Sequence, residues 1–203
     1  MSNTYLGKYG YTIPKSELQD SDVYALKHEL TMKPYQSCNI GGANTVEYPI
    51  YRESGSKFYI PRYYGIEKYG QFQENKISKG LDVDVPFNGK LYDYQYNIVD
   101  KYIDFVGESG GGLLDVEPGK GKTVMALNII SRMKKKTLVV VHKTFLLNQW
   151  KERIEQFLPS AKVGLIQGQT LDYKDKDIVI GMLQTIVSRD YTPEDFTSFG
   201  TVI

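Results

Sequence analysis

Apolar positions early in the chain recur at helical spacing. Val23, Leu26 and Leu30 fall on one face of a 3.6-residue turn, so residues Asp20 to Leu30 are predicted to form a helix that stops at Pro34. The period then changes. TVEYPIYRES and SKFYIPRYYG are rich in Tyr, Phe and Ile on either side of Ser54-Gly55-Ser56, the pattern of two short strands around a turn. ISKGLDVDVPFNGKL reads as a strand-and-loop exit from this first region. Beyond it, continuous apolar runs alternate with helical ones. GLLDVE, TLVVVH, KVGLIQG and DIVIGM predict strands, and GTVI begins another. Gly121 to Met133, TFLLNQWKERIEQFL and LQTIVSRD predict helices. Continuous apolar strands separated by helices indicate a parallel sheet covered on both faces.

Composition supports a division. Fifteen of the seventeen tyrosines lie at or before Tyr102, leaving only Tyr173 and Tyr191 later. The expected organisation is a small, mixed, β-rich unit over residues 1–88, followed by an α/β unit over 89–203. The 203 residues suit one large domain or a domain and a half. A net charge of +1 carries no global nucleic-acid signal, so any basic surface must be local. A single cysteine, Cys38, excludes an internal disulfide framework and a cysteine-based zinc site. His28 and His142 are too far apart in sequence, without cysteine partners, to predict a metal cluster. Nothing resembles a signal or membrane-spanning segment, so a soluble intracellular protein is expected. The run Lys134-Lys135-Lys136 reads as a solvated turn rather than a nucleic-acid patch.

The chemistry concentrates in DVEPGKGKT, residues 115–123. Phosphate binding needs inward-pointing backbone N–H groups, room for close approach and the positive end of a helix. Glu117, Pro118, Gly119, Lys120 and Gly121 would form the loop, Lys122 would reach the β- and γ-phosphates, and the Thr123 hydroxyl would hold Mg2+. The expected setting is a strand before the loop and a helix after it. The general pattern G-x-x-x-x-G-K-[ST] asks for glycine five residues before Gly121, where this chain has Val116.

Helicases of superfamily 2 relax that first glycine and keep G-x-G-K-T, and this chain resembles them at further points. GKLYDYQYNIVDKYI is similar to the segment upstream of their phosphate loop; the resemblance places Gln95 near the nucleotide base. LVVVHKTFLLNQWKERIEQFLP resembles the XPB-type and phage repair-helicase branch, with Leu146, Leu147, Gln149 and Trp150 at the matching positions. KVGLIQG is similar to the next strand of that branch. DIVIGMLQTI resembles a Thr-x-Gln-Ser/Thr segment; Gln184 and Thr185 match, and Met182 replaces the threonine. YPIYRESGSKFYIPRYYGIEKYG looks like the leader of helicases of large DNA viruses, relatives of the poxvirus transcript-release helicase.

The resemblance implies an incomplete RecA-like parallel sheet with a P-loop, ATP and Mg2+ as cofactors, and DNA as partner, with RNA possible. A place in transcription or repair, and no membrane partner, also follow from it. Phosphate-backbone contacts would come from His142, Lys143, Thr144, Gly168, Gln184 and Thr185, each just past a predicted strand, where open parallel sheets place ligands. Trp150, Leu146 and Leu147 share a helix face and are expected in the core. In this family FGTVI runs into an Asp-Glu-x-His box. A chain ending at Ile203 is therefore expected to be a fragment that binds nucleotide weakly and does not unwind. The tyrosine-rich first unit, with Tyr59, Arg62, Tyr63, Tyr64 and Lys68, admits stacking on single strands. Its eleven Lys or Arg against ten Asp or Glu through Lys90 favour packed tyrosines. Two other readings are a different P-loop NTPase, such as a small kinase, and a binding module with a relic P-loop.

Overall fold

A computed structural model of the chain describes residues 3–33 and 47–203. The expected helix stop at Pro34, the first residues of TVEYPIYRES and Cys38 lie outside them. Among the described residues no helix is long and apolar enough to cross a membrane. The chain divides into two compact units, Met1–Ile77 and Ser78–Ile203.

The first unit contains β1 (Tyr5–Gly7), β2 (Gly10–Pro14), α1 (Asp20–Glu29), β3 (Thr31–Met32), β4 (Tyr48–Pro49), β5 (Arg52–Glu53), β6 (Lys57–Ile60), α2 (Arg62–Tyr69) and β7 (Glu74–Asn75). Five strands form a sheet in the order β5-β6-β2-β1-β7. Only the β1–β7 pairing is parallel. Tyr11 and Ile13 alternate with Thr12 along β2, and Phe58 and Ile60 do the same along β6. Together with Leu26 and Leu30 of the α1 region they make the core. The predicted helix forms, and so does the hairpin around Ser54-Gly55-Ser56. The second half of SKFYIPRYYG does not extend as a strand: from Arg62 it is α2. Pro61 cannot donate to a ladder, and Gly65 lets the helix sit on Tyr11, where an added Cβ would lie 2.4 Å from the ring. The β1–β2 hairpin had no expectation attached to it.

The second unit contains α3 (Asp93–Ser109), α4 (Lys122–Met133), β8 (Thr137–Val141), α5 (Thr144–Phe157), β9 (Val163–Gln167), β10 (Thr170–Asp172), β11 (Ile178–Met182), α6 (Leu183–Ser188) and β12 (Thr201–Val202). The sheet order is β10-β9-β11-β8-β12. Pairings are parallel except for the β9–β10 hairpin. The continuous apolar runs of β8 and β11 are buried on both faces, as a helix-covered parallel sheet requires. Leu127, Ile130, Leu147, Ile154 and Leu158 pack on them, with Leu146 and Trp150 partly buried against the same core.

Two expectations fail here. GLLDVE is not a strand. Residues 111–117 run without regular secondary structure, although Leu114 and Val116 pack inward and Leu113 is 89% exposed. The alternation is that of a strand, but among the described residues the segment joins no ladder. Residues 78–88, expected with the first unit, fold into the second. The Leu81 N–H donates to Ser198 O at 2.9 Å, and the Val83 N–H donates to Lys134 O at 3.1 Å. Val83, Val85 and Phe87 pack on the sheet core. The lysine run closes over this segment. Lys134 pairs with Asp84 and Lys135 with Asp82. Lys136 is buried, its ammonium donating to Tyr173 O at 2.7 Å. That burial pushes its pKa down, so the run is not a wholly solvated turn.

Candidate functional site

The loop 115–121 enters α4 through two left-handed glycines. Gly119 and Gly121 both have φ of +82°, a region that side chains with a Cβ disfavour. Nothing lies within 4 Å of where a Cβ on Gly119 would stand, so that turn of the loop is open. A Cβ on Gly121 would meet Gln95 Nε2 at 2.5 Å. Lys122, exposed in the first turn of α4, folds back over the loop. Its ammonium donates to Val116 O at 2.7 Å and to Glu117 O at 3.1 Å. Thr123 follows in the same turn, half-buried.

Gln95 braces the loop from α3. Its Oε1 accepts from the Tyr92 N–H at 2.9 Å, fixing the first turn of the helix, and its Nε2 donates to Lys120 O at 2.9 Å. The Tyr94 hydroxyl donates to the same carbonyl at 3.2 Å. Gln95 is 4% exposed, so both ends of its amide are spent on positioning the loop.

A second cluster gathers at the carboxyl ends of β8, β9 and β11. Gln184 Nε2 donates to His142 O at 2.9 Å. The Gly168 N–H donates to Thr185 Oγ1 at 3.0 Å, and Thr185 is buried. Gly168 opens the two-residue β9–β10 turn with φ of +54°. The structure thus brings His142, Gly168, Gln184 and Thr185 together. Lys143 and Thr144 continue from His142 into α5, exposed. Arg189 was not foreseen: its guanidinium donates to Gly168 O and, at 3.1 Å, to Gln169 Oε1. The sequence signal was a lone cation four residues after Thr185, whose partner lies twenty-one residues back.

In the first unit, Tyr64 and Lys68 are committed to Glu29, both donating to its carboxylate. Arg62 lies over Tyr63 and Phe72. Tyr59 is elsewhere, on the outer face of the sheet.

The profile of the family described as type III restriction enzyme, res subunit, matches residues 88–203. A protein of Acanthamoeba polyphaga mimivirus, named as an ATP-dependent RNA helicase, is 34% identical over 204 residues, covering 98% of this chain and 39% of its own length. A DNA 3'-5' translocase, XPB2, of Sulfurisphaera tokodaii is 34% identical over 112 residues, covering 55% of this chain and 25% of its own. Among solved structures, the Sulfolobus solfataricus SWI2/SNF2 ATPase core in complex with double-stranded DNA aligns at 20% identity with a TM-score of 0.45, over 56% of this chain and 25% of that one. The chain therefore spans well under half the length of these relatives.

Proposed function

Because this chain belongs to the family described as the res subunit of type III restriction enzymes, and carries a superfamily 2 helicase-like ATPase domain, we propose that it is the nucleotide-gripping part of an ATP-dependent motor acting on DNA. One observation carries this reading. Two left-handed glycines, Gly119 and Gly121, flank Lys120 in the loop ahead of α4, with free space over Gly119 and the Lys122 ammonium already turned onto the loop's own carbonyls. An open glycine turn at the start of a helix, with a cation at its rim, fits a triphosphate.

In this reading the backbone from Glu117 through Pro118, Gly119 and Lys120 to Gly121 surrounds the phosphates. Lys122 exchanges the carbonyls of Val116 and Glu117 for phosphate oxygens. Thr123 offers its hydroxyl to Mg2+, and Gln95, its amide committed to Tyr92 and Lys120, serves the site by holding the loop. Bound ATP supplies the free energy of its hydrolysis, with Mg2+ offsetting phosphate charge. His142, Lys143, Thr144, Gly168 and Gln184 meet the phosphate backbone of the nucleic acid, which gives affinity without much base preference. Thr185, its hydroxyl occupied by the Gly168 N–H, acts by aiming that turn, and Arg189 holds it from the other side. The 203 residues alone bind nucleotide weakly and do not unwind. A role in transcription or repair, in a soluble intracellular setting, goes with the reading.

Two measurements test it. A fluorescent ATP analogue is expected to bind the 203-residue chain weakly and to lose that binding in Lys122→Ala. A chain continued to the length of its mimiviral relative is expected to hydrolyse ATP faster when DNA is added. ATPase activity indifferent to both DNA and Lys122→Ala would end the motor reading. Stimulation by RNA alone moves the target to RNA, the polymer in that relative's name.

A further inference from the structure

The outer face of the first unit's sheet is built unlike its inner one. Residues directly opposite across a ladder share a face. The registers Arg52↔Tyr59, Tyr59↔Thr12, Thr12↔Tyr5 and Tyr5↔Glu74 therefore set one row across all five strands, on the side away from Tyr11, Ile13 and Phe58. Tyr9, in the β1–β2 turn, meets Tyr59 edge-on with ring centroids 5.2 Å apart.

Cations are interleaved with these rings. Arg52 lies 5.3 Å and Lys8 4.9 Å from the Tyr9 ring centre. Lys57 and Lys76 lie 5.2 Å and 4.3 Å from that of Tyr5. Among the described residues, Lys8, Arg52 and Lys57 belong to no salt bridge, and only Lys76 is matched, by Glu74 at 3.0 Å. The row ends in two shallow hollows. One, of about 280 Å3, is floored by Tyr9, Tyr59 and Arg52. The other, of about 320 Å3, is bordered by Tyr5, Lys57 and Lys76. Tyr9 is 46% exposed, and Tyr5 and Tyr59 are partly exposed.

We infer that this face binds single-stranded nucleic acid, with bases against Tyr59 and Tyr5 and the phosphates passing along Arg52, Lys8 and Lys57. Tyrosines partly exposed on a sheet face suit unpaired bases, whose π-faces a duplex hides. An excess of unmatched cations on the same face suits the polyanion that joins those bases. Acidic or neutral peptides offer one of these features but not both. The inference takes from the proposed motor only the choice of a nucleic acid. It does not depend on the phosphate loop.

The test is fluorescence anisotropy on the whole 203-residue chain with labelled oligo(dT), oligo(U) and a duplex of about fifteen units, a length set by known sheet-type site sizes. Single strands are expected to bind more tightly than duplex, and the ratio of oligo(dT) to oligo(U) separates DNA from RNA. Tyr59→Ala should weaken single-strand binding about tenfold, as loss of one stacked base implies. Tyr59→Phe, which keeps the ring, should restore it. Arg52→Glu should weaken binding and flatten its salt dependence while leaving an exposed site folded. Melting curves of each variant monitor the fold. Lys122→Ala is expected to change none of these affinities, so failure here and failure of the motor reading are distinct. Equal affinity for duplex and single strand, absence of binding, or wild-type affinity in both Tyr59→Ala and Arg52→Glu would overturn the inference.

Discussion

At the scale of single residues, the two loop glycines make a controlled pair. Both are left-handed, but only Gly121 has a neighbour in the way. Gly119→Ala should cost the strain of a left-handed alanine, about 1 kcal/mol. Gly121→Ala should cost that and the displacement of Gln95 Nε2, 2.5 Å from the new methyl, for a total of about 2–3 kcal/mol. Placing Gly121→Ala in a Gln95→Ala background should recover the difference, read by chemical denaturation as a double-mutant cycle. Additive costs would mean that the collision is relieved at no expense. Part of this was legible beforehand: the glycine spacing and Lys122 marked the loop, and the resemblance drew attention to Gln95. What the string could not reveal is that Gln95 uses its whole amide on the protein, to Tyr92 and Lys120. Nor could it reveal that Arg189 grips Gly168. Those pairings depend on where helix ends and turns come to rest.

Elements are specified partly by their own residues and partly by what lies beside them, and the two kinds of information separate cleanly here. β8 and β11 were readable because burial on both faces demands an unbroken apolar run. Residues 111–117 have a strand's alternation but no ladder, because alternation belongs to the segment and pairing to its neighbours. α2 was masked by strand-favouring aromatics, and only the fit of Gly65 on Tyr11 explains its docking. Charge pairing between elements is similarly invisible in sequence. Glu53 of β5 accepts from Lys15, just past β2, at 2.8 Å and from Lys27 of α1 at 2.7 Å. The ammonium of Lys15, and then that of Lys27, holds this carboxyl below its ordinary pKa. A folded pKa below the unfolded one means that the stabilisation is present above the unfolded value, about 4.3. It is lost as pH falls through the folded value. Melting temperature should therefore fall on acidification below about pH 4, with a shallower acid limb in Glu53→Gln. The pair is partly exposed, so screening keeps the effect to a change of slope. Parallel pH profiles for the two proteins would remove Glu53 from the account.

At the scale of the whole chain, the question is where one unit hands over to the next. The tyrosine division and the strand-and-loop exit pointed to residue 88, but composition cannot tell a linker from a strap. Residues 78–88 behave as a strap on the second unit. Val85 is 1% exposed, with Val83 and Phe87 packed on the same core. The Phe87 ring stacks on Phe157 at 5.5 Å between centroids, and the Asn88 N–H donates to Phe157 O at 2.7 Å. Removing buried Val and Phe side chains costs about 1.5–3 kcal/mol each, and the ring pair adds about 0.5–1.5 kcal/mol. Against a typical domain stability of about 5–15 kcal/mol, losing the strap takes away a large share. A chain of residues 78–203 should therefore melt cooperatively on its own. A chain of residues 89–203 should be several kcal/mol less stable by urea titration, with raised binding of a hydrophobic dye at the uncovered face of β8 and β11. Adding a peptide of residues 78–88 should lower that dye signal, since the strap's contacts are side-chain burial and short backbone bonds that need no covalent link. Should the two chains unfold at the same urea concentration, the strap is a passenger, and the boundary reverts to the position that composition suggested.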